Sequence, residues 1–257
     1  MRLSIFAISQ TCKAHPLPSF ISELIKSDKK MKNEYKKIVL SVIALLAAGV
    51  SPNLFVISQA GYAQLSDLAV SFLLPSIAIL IIVFLLSYLP GLGDFNRQLK
   101  IGFAAGLIGT IGLEIVREVG FHLGGMPGDL PKLMGVLLMN QFASGPDTIS
   151  NIAGWSYHFW NGAAFGIIYS IILGKGKIWA GTLYGILVGI GFMMSPVVVA
   201  LGVGYFGVDF GWGFPVTVTI AHIAFGTIVG WLVFKWSDSS SGFIVTVKQL
   251  IQKRVNK

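Results

Sequence analysis

Two histidines of this 257-residue chain stand at the head of the same short motif. His158 and His222 each begin the pattern His-x3-Gly-x3-Gly inside a long apolar segment. Residues four apart on an α-helix lie only about 40° apart around its axis, so each imidazole shares one helix face with two glycines. Such a face combines a titratable group that can bind a metal with a seam for close helix packing.

Another apolar segment carries several charged side chains. Glu114, Glu118 and His122 follow one another at intervals of four residues, and Arg117 lies beside them. A charge at the centre of a bilayer costs about 2.5–3.5 kcal/mol, so such groups normally face the interior of a helix bundle and pair. Counting along the helices is expected to place all of these groups in the outer half of the membrane. The predicted polar site consists of Glu114, Arg117, Glu118, His122, His158, Asn161 and His222.

Three interpretations of this site remain open at the level of sequence. In the first, Arg117 neutralises a neighbouring glutamate and each histidine donates to a carbonyl or to Asn161, so that the cluster only holds the helices together. In the second, the cluster binds a small solute or ion, or relays protons. In the third, His158, His222 and Glu118 bind a metal or a haem.

The sequence implies no particular cofactor or reaction. It lacks dense ligand motifs such as His-x3-His, and no serine or carboxylate stands in a recognisable nucleophile motif, which favours a non-enzymatic protein. Cys12 is the only cysteine, so no intrachain disulfide and no thiolate metal site is expected.

Composition indicates a protein of the lipid bilayer. Hydrophobic residues make up 54% of the chain and charged residues 12%, against about 25% charged in a typical soluble domain. Several apolar runs reach the roughly 20 residues that a membrane-spanning helix needs. Although the net charge is +8, the basic residues concentrate in the connections of one side, which indicates membrane topology and not nucleic-acid binding.

The expected fold is an all-α bundle of six membrane spans. They are predicted over residues 38–60, 65–89, 101–123, 154–173, 178–204 and 215–235, so that the bundle proper covers residues 65–235. A short helix over residues 131–142, with Asp129 as its N-cap, is expected in the longest connection.

The N-terminal region has two interpretations. Residues 1–37 are basic and are expected in the cytoplasm, followed by the first span within residues 38–64. Alternatively, translation starts at Met31 and residues 31–63 form a cleavable signal peptide, which leaves five spans and places residues 1–30 outside the working protein. Residues 236–257 are expected to form a cytoplasmic amphipathic tail that can lie on anionic lipid.

Glycine spacing predicts an internal repeat. A glycine-rich helix followed by a His-x3-Gly-x3-Gly helix occurs twice, and because each unit has two spans the copies share one orientation. The expected packing glycines are Gly162, Gly166, Gly181, Gly185, Gly189, Gly226 and Gly230. The charge bias places both termini in the cytoplasm, with the protein in a bacterial inner membrane.

The order of glycine-rich helices, a late glycine- and aromatic-rich loop and the segment Pro215…His222-x3-Gly226-x3-Gly230 resembles a group of uncharacterised bacterial inner-membrane proteins. The resemblance covers about residues 101–235 and implies a similar small bundle, without an established activity. The cluster of Glu114, Arg117 and Glu118 does not map onto that group. The leading hypothesis is therefore a carrier of a small solute or ion, with a metal- or haem-binding redox component and a structural or assembly protein as alternatives.

Overall fold

The protein is described by a computed structural model over residues 19–238 and 242–255, and this part of the chain forms α-helices and no β-strand. In chain order the helices are α1 (Ser19–Gln59), α2 (Leu65–Leu86, with a π-helical turn at Ala69–Leu73), α3 (Gly93–His122), α4 (Leu130–Leu138), α5 (Thr148–Leu173), α6 (Ile178–Met193), α7 (Pro196–Ala200), α8 (Gly213–Trp236) and α9 (Phe243–Val255). A 3-10 helix, Tyr205–Phe210, precedes α8. The prediction of an all-α fold is confirmed.

Four of these helices are long and apolar enough to cross a membrane: α2, α3, α8 and the part of α1 over Lys26–Gln59. Much of their apolar surface lies on the outside of the bundle. On α2, for example, Val70, Ile81 and Leu85 are each more than half exposed. Large exposed apolar surfaces on helices of spanning length fit contact with lipid chains, so the fold is that of a multi-span membrane protein.

The other two predicted spans have different bounds in the structure. Helix α5 is long, but with Ser156, His158 and Asn161 along it, it is not among the helices that are long and apolar enough to cross a membrane. Helix α6 has only 16 residues, about 24 Å, because it ends at Met193. Ser195 is extended (φ −77°, ψ 158°), as expected before a proline, and Pro196 then starts α7 instead of kinking a continuous helix. Six spans therefore stay a prediction.

Helix α1 extends well beyond the predicted first span at its N-terminal end. It begins at Ser19, so that part of the basic segment is helical, while residues 1–18 lie outside the described residues. Ala44 and Ala48 are fully buried in the core that α1 shares with α2, α3 and α5. The removal of a signal peptide from this region stays a prediction.

Glycines on α3 and α5 let these antiparallel helices approach until their backbones touch. A methyl carbon added at Gly166 would lie 2.6 Å from the Cα of Gly106, far closer than two carbon atoms can pack. On the other side, a carbon added at Gly102 would lie 2.8 Å from the Cα of Ile167. Regularly spaced glycines therefore let α5 pack closely on α3, as they commonly do between membrane helices.

The same type of interface joins α6 to α8. A methyl carbon added at Gly226 would lie 2.6 Å from the Cα of Gly185, and one added at Gly230 would lie 2.8 Å from the Cα of Gly181. The order of the contacts makes α6 and α8 antiparallel. The two glycine interfaces thus share their geometry, while a sequence repeat of two-helix units stays a prediction.

The helices form a curved row in the order α2, α1, α5, α3, α8, α6, in which each packs against the next. Helix α3 lies in the middle and contacts both His-x3-Gly-x3-Gly helices, α5 and α8. Helices α1, α3 and α6 finish at one end of the bundle, where α5 and α8 begin. We call this the polar end, because all the candidate site residues lie on these parts of the helices.

Helix α4 packs on α5 at the polar end through another glycine contact, in which a carbon added at Gly154 would lie 2.9 Å from the Cα of Gly135. It covers Leu130–Leu138 instead of residues 131–142, and Asn140 with its positive φ of 52° ends it. Asp129 is the N-cap residue by position, but its side chain makes no capping hydrogen bond. The C-terminal helix α9 packs against α1 and α5, and residues 239–241 and 256–257 of the predicted tail lie outside the described residues.

Asp147 caps α5, and its charge should make the start of this helix sensitive to acid. The Asp147 carboxylate accepts a hydrogen bond from the Ser150 N–H (2.7 Å), which holds the pKa of Asp147 below its usual value. The stabilisation is therefore complete above the ordinary aspartate pKa and is lost as the pH falls through the lowered one. We expect lower protection factors, that is, amide exchange measured relative to the intrinsic rate at each pH, in the first turn of α5 at acidic pH, and no such change in Asp147→Asn. Equal acid sensitivity in both proteins would contradict this role.

Candidate functional site

A buried ion cluster joins α3 to α5 near the polar end. Glu114 and Arg117, three residues apart on α3, share one face, and the Arg117 Nε donates to Glu114 Oε2 (2.7 Å). The Nε2 of His158, on α5, lies 2.8 Å from the other carboxylate oxygen of Glu114, Oε1. The close approach at Gly162 and Gly166 brings His158 within reach, so the packing seam positions the polar contact. Because a carboxylate oxygen accepts, the His158 Nε2 carries the proton.

Two of the predicted site residues lie at the margin of this cluster. The Oε2 of Glu118 lies 3.3 Å from the Arg117 Nη2, but 53% of the Glu118 side chain is exposed. His122 lies in the last turn of α3 with 73% of its side chain exposed, and contacts Glu118 (3.3 Å). Their four-residue spacing is regular, but the helix is ending there. The centre of the cluster is therefore Glu114 and not Glu118.

Asp129 belongs to the cluster, which sequence reasoning missed. One of its carboxylate oxygens, Oδ1, lies 3.7 Å from the Arg117 Nη2 and has no hydrogen-bond partner among the described residues. The sequence assigned Asp129 to capping α4, and no local pattern indicates that it turns back towards α3. Three carboxylates, on Glu114, Glu118 and Asp129, consequently surround a single guanidinium.

His222 on α8 is held separately from the ion cluster. Its Nδ1 lies 2.8 Å from the carbonyl oxygen of Val218, one helical turn earlier. A carbonyl only accepts, so Nδ1 carries the proton and the uncharged ring keeps Nε2 as an acceptor. Phe192 of α6 stacks on the ring (6.0 Å between centroids), and a carbon added at Gly189 would lie 2.9 Å from the His222 Cβ. Gly189 therefore makes room for the imidazole.

Asn161 anchors α1 to α5. The Ser51 hydroxyl donates to Asn161 Oδ1, and the Tyr157 hydroxyl donates to the Ser51 carbonyl oxygen (2.6 Å). These bonds lie beside Pro52, which has no N–H to continue the helical ladder of α1. Asn161 acts through its contact with α1, and its position relative to His158 in the sequence does not indicate this role.

A cavity of about 550 Å³ connects the cluster with His222. Its lining comes from α1, α3, α4, α5, α6, α7 and α8, and most of it is apolar. The polar members of the lining are Asn53, Thr110, Arg117, His158, Asn161, Ser195, Thr217 and His222. Of the seven predicted site residues, the structure thus brings Arg117, His158, Asn161 and His222 to one cavity, whereas Glu114, Glu118 and His122 are not part of its lining.

Arg117 lines this cavity and carries a hydrogen-bond donor without a partner. The residue is only 5% exposed, and its Nε and Nη2 are bound to glutamates. Its Nη1 is buried and has no hydrogen-bond partner among the described residues. Buried polar groups are nearly always paired, and a buried donor left without a partner costs about 1–3 kcal/mol. A molecule bound in the cavity would satisfy Nη1 after a small shift of the lining, because Nη1 has almost no accessible surface in this structure.

Comparison of the chain with protein-family models, with curated proteins and with solved structures finds no match. Among the described residues, no group of three or more histidine, cysteine, aspartate or glutamate side chains has the arrangement of a metal site.

Proposed function

We propose that this protein is a membrane-embedded binding protein, in the manner of a carrier, for a small and largely apolar solute that accepts a hydrogen bond. The observation that carries the proposal is that Arg117, whose buried Nη1 has no partner among the described residues, lines an apolar cavity. Ligand sites in proteins are typically apolar cavities of roughly 300–1,000 Å³ with a few polar groups that orient the ligand.

The walls and the polar groups of the cavity favour a solute over an inorganic ion. Phe55, Phe165 and Phe225 are among the side chains that line it, and they supply no oxygen, nitrogen or sulfur atom to bind an inorganic ion. An apolar solute would bury its body against such walls, while its polar atom would pair with Arg117. The expectation from sequence that the cluster only clamps the helices together accounts for Glu114 and His158, but not for the cavity or for Nη1.

Replacing Arg117 by lysine tests the proposal. Arg117→Lys keeps a positive charge beside Glu114 but removes the planar fork to which Nη1 belongs. A lost hydrogen bond to a charged group costs about 1.5–3 kcal/mol, so we expect about tenfold or greater loss of affinity for the bound solute. The measurement is mass spectrometry of small molecules extracted from the full-length protein purified in mild detergent.

Arg97→Lys is the matched control, because Arg97 lies at the start of α3 and pairs with Asp238 far from the cavity. Wild type and Arg97→Lys should retain the same compound, and Arg117→Lys should retain about a tenth of it or less. Preparations of wild type that contain no small molecule beyond detergent and bulk lipid, or equal retention by all three proteins, would contradict the proposed function.

A metal or haem remains the second candidate, because imidazoles from two different helices line the same cavity. His158 on α5 and His222 on α8 flank α3, and the hydrogen bond of each ring engages one nitrogen and leaves the other. Metal-binding histidines commonly donate their second nitrogen to a carboxylate or a carbonyl, as these two do. Elemental analysis and an optical spectrum of the same preparations separate the two candidates.

The proposal extends to topology. We propose six crossings, by α1, α2, α3, α5, α6 and α8, with both termini in the cytoplasm of a bacterium and with α3–α5 and α6–α8 as parallel copies of one unit. The bias of lysine and arginine and the two glycine interfaces support this arrangement.

A further inference from the structure

We propose that the cavity takes up a neutral, carbonyl-bearing lipophile directly from the bilayer, through a gap between α1 and α6. This inference rests on the proposed function and adds the chemical class of the solute and the direction from which it comes. It is carried by three features of the cavity, namely its closed polar end, its open side and the charges around Arg117.

Apolar side chains close the cavity at the polar end. Met126, Leu130 and Met134 come from α4 and the connection before it, and Val197 comes from α7. Met126, Met134 and Val197 are all less than 10% exposed. Helix α7 packs against both α1 and α6 there, and so bridges the two helices. These apolar side chains make no hydrogen bonds to a hydrated solute that arrives from water.

The side of the cavity between α1 and α6 is open by comparison. Both helices contribute to the lining, but they make at most a marginal contact with each other. Gly49 on α1 and Gly191 on α6 line the cavity on these two walls, and a carbon added at either would have no atom within 4 Å. Because this opening lies on the flank of helices with lipid-facing apolar surfaces, its surroundings are lipid chains.

The charges around Arg117 select a neutral head group. Three carboxylates, on Glu114, Glu118 and Asp129, lie around one guanidinium, and Lys132 pairs with Asp129, so that the charge of Arg117 is already balanced and the cluster is net negative while His122 and His158 are neutral. An anionic head group would therefore be repelled, while a cationic one would face a guanidinium that has only donors to offer. A ketone, ester or quinone-like carbonyl accepts from Nη1 without adding charge.

The test uses the full-length protein in phosphatidylcholine vesicles with 2-tridecanone carrying ¹³C at its carbonyl. Hydrogen bonding to a guanidinium shifts the carbonyl resonance, so that the bound fraction can be read by NMR. The competitors are dodecanoate, which has an anionic head group, and tridecane, which has no head group. Gly191→Leu and Gly49→Leu narrow the gap from opposite walls, and Gly93→Leu is the matched control, because Gly93 also has open space around it but does not line the cavity.

We expect wild type and Gly93→Leu to bind the ketone alike. Each of the two gap variants should bind it at least about tenfold more weakly or more slowly, and dodecanoate and tridecane should compete at least about tenfold less well than unlabelled ketone. Unchanged binding in both gap variants would overturn the route, and stronger competition by dodecanoate would overturn the neutral class, while the proposed function would stand in either case. Failure of wild type to bind ketone, acid or hydrocarbon would instead remove the proposed function.

Discussion

The substitution Gly166→Leu is expected to push α5 away from α3 and to lower the thermal stability of the bundle. Its Cβ would lie 2.6 Å from the Cα of Gly106, so the clash is with backbone and no side-chain rotation can relieve it. Overpacking typically costs about 1–3 kcal/mol, and we expect at least the upper figure here. For a protein of this size, about 3 kcal/mol lowers the thermal unfolding midpoint by roughly 6–12 °C. The midpoint is measured by fluorescence-detected size exclusion after heating.

The matched control is Gly191→Ala, a glycine near the end of α6 with open space around its Cα. Alanine has the higher helix propensity, so its effect should be a change of less than about 1 kcal/mol in the stabilising direction. Gly226→Leu probes the equivalent contact of α8 with α6 and should match Gly166→Leu. A wild-type unfolding midpoint in either leucine variant would show that the glycine interfaces are not close-packed.

Removal of the Glu114 side chain should destabilise the bundle strongly, because Glu114 holds both Arg117 and His158. The substitution Glu114→Ala leaves a guanidinium that is only 5% exposed without its main partner. Breaking a buried ion pair from one side typically costs about 3–5 kcal/mol. Glu118→Ala, at a side chain that is half exposed, should cost less than about 1 kcal/mol. Unfolding midpoints of the two variants give the comparison.

A double variant distinguishes a buried charge from lost packing. In Glu114→Leu with Arg117→Leu the buried guanidinium is removed together with its main partner, while Glu118 is half exposed and Asp129 keeps Lys132, so the double variant should be more stable than Glu114→Ala alone. If Glu114→Ala and Glu118→Ala proved equally mild, the two glutamates would be equivalent and the centre of the cluster would not be Glu114. Loss of stability in the double variant beyond that of Glu114→Ala would show that the ion pair itself stabilises the fold.

Features that depend on spacing along one helix were predictable from the sequence. The predicted packing glycines lie at helix interfaces because a four-residue period fixes which residues share a face, whatever the neighbouring helix is. Glu114 and Arg117 share a face for the same reason. The class of fold followed from the length of the apolar runs, which is also a local property.

Features that depend on a second element were not predictable. Glu114 and Glu118 are equivalent in spacing, and only the position of α5 decides that Glu114 is buried against His158. In the sequence Asp129 has the position of an N-cap, but in the fold its carboxylate lies beside Arg117 of α3. Asp147 with Ser150 starts α5 six residues before the predicted Gly154, through a capping box whose second member is serine instead of the usual glutamate or glutamine. The cavity requires seven helices at once, and no pairwise pattern encodes it.

The hydrogen bonds from Ser51 to Asn161 and from Tyr157 to Ser51 make the N-terminal helix part of the binding site. A chain processed after Ala63 would keep Arg117, His158 and His222, but it would lose Gly49, Pro52, Asn53, Phe55 and Val56, which are the whole α1 wall of the cavity. Asn161 and Tyr157 would then face lipid without their partners. N-terminal processing would therefore remove one wall of the cavity, and retention of α1 is a condition for the function proposed for this protein.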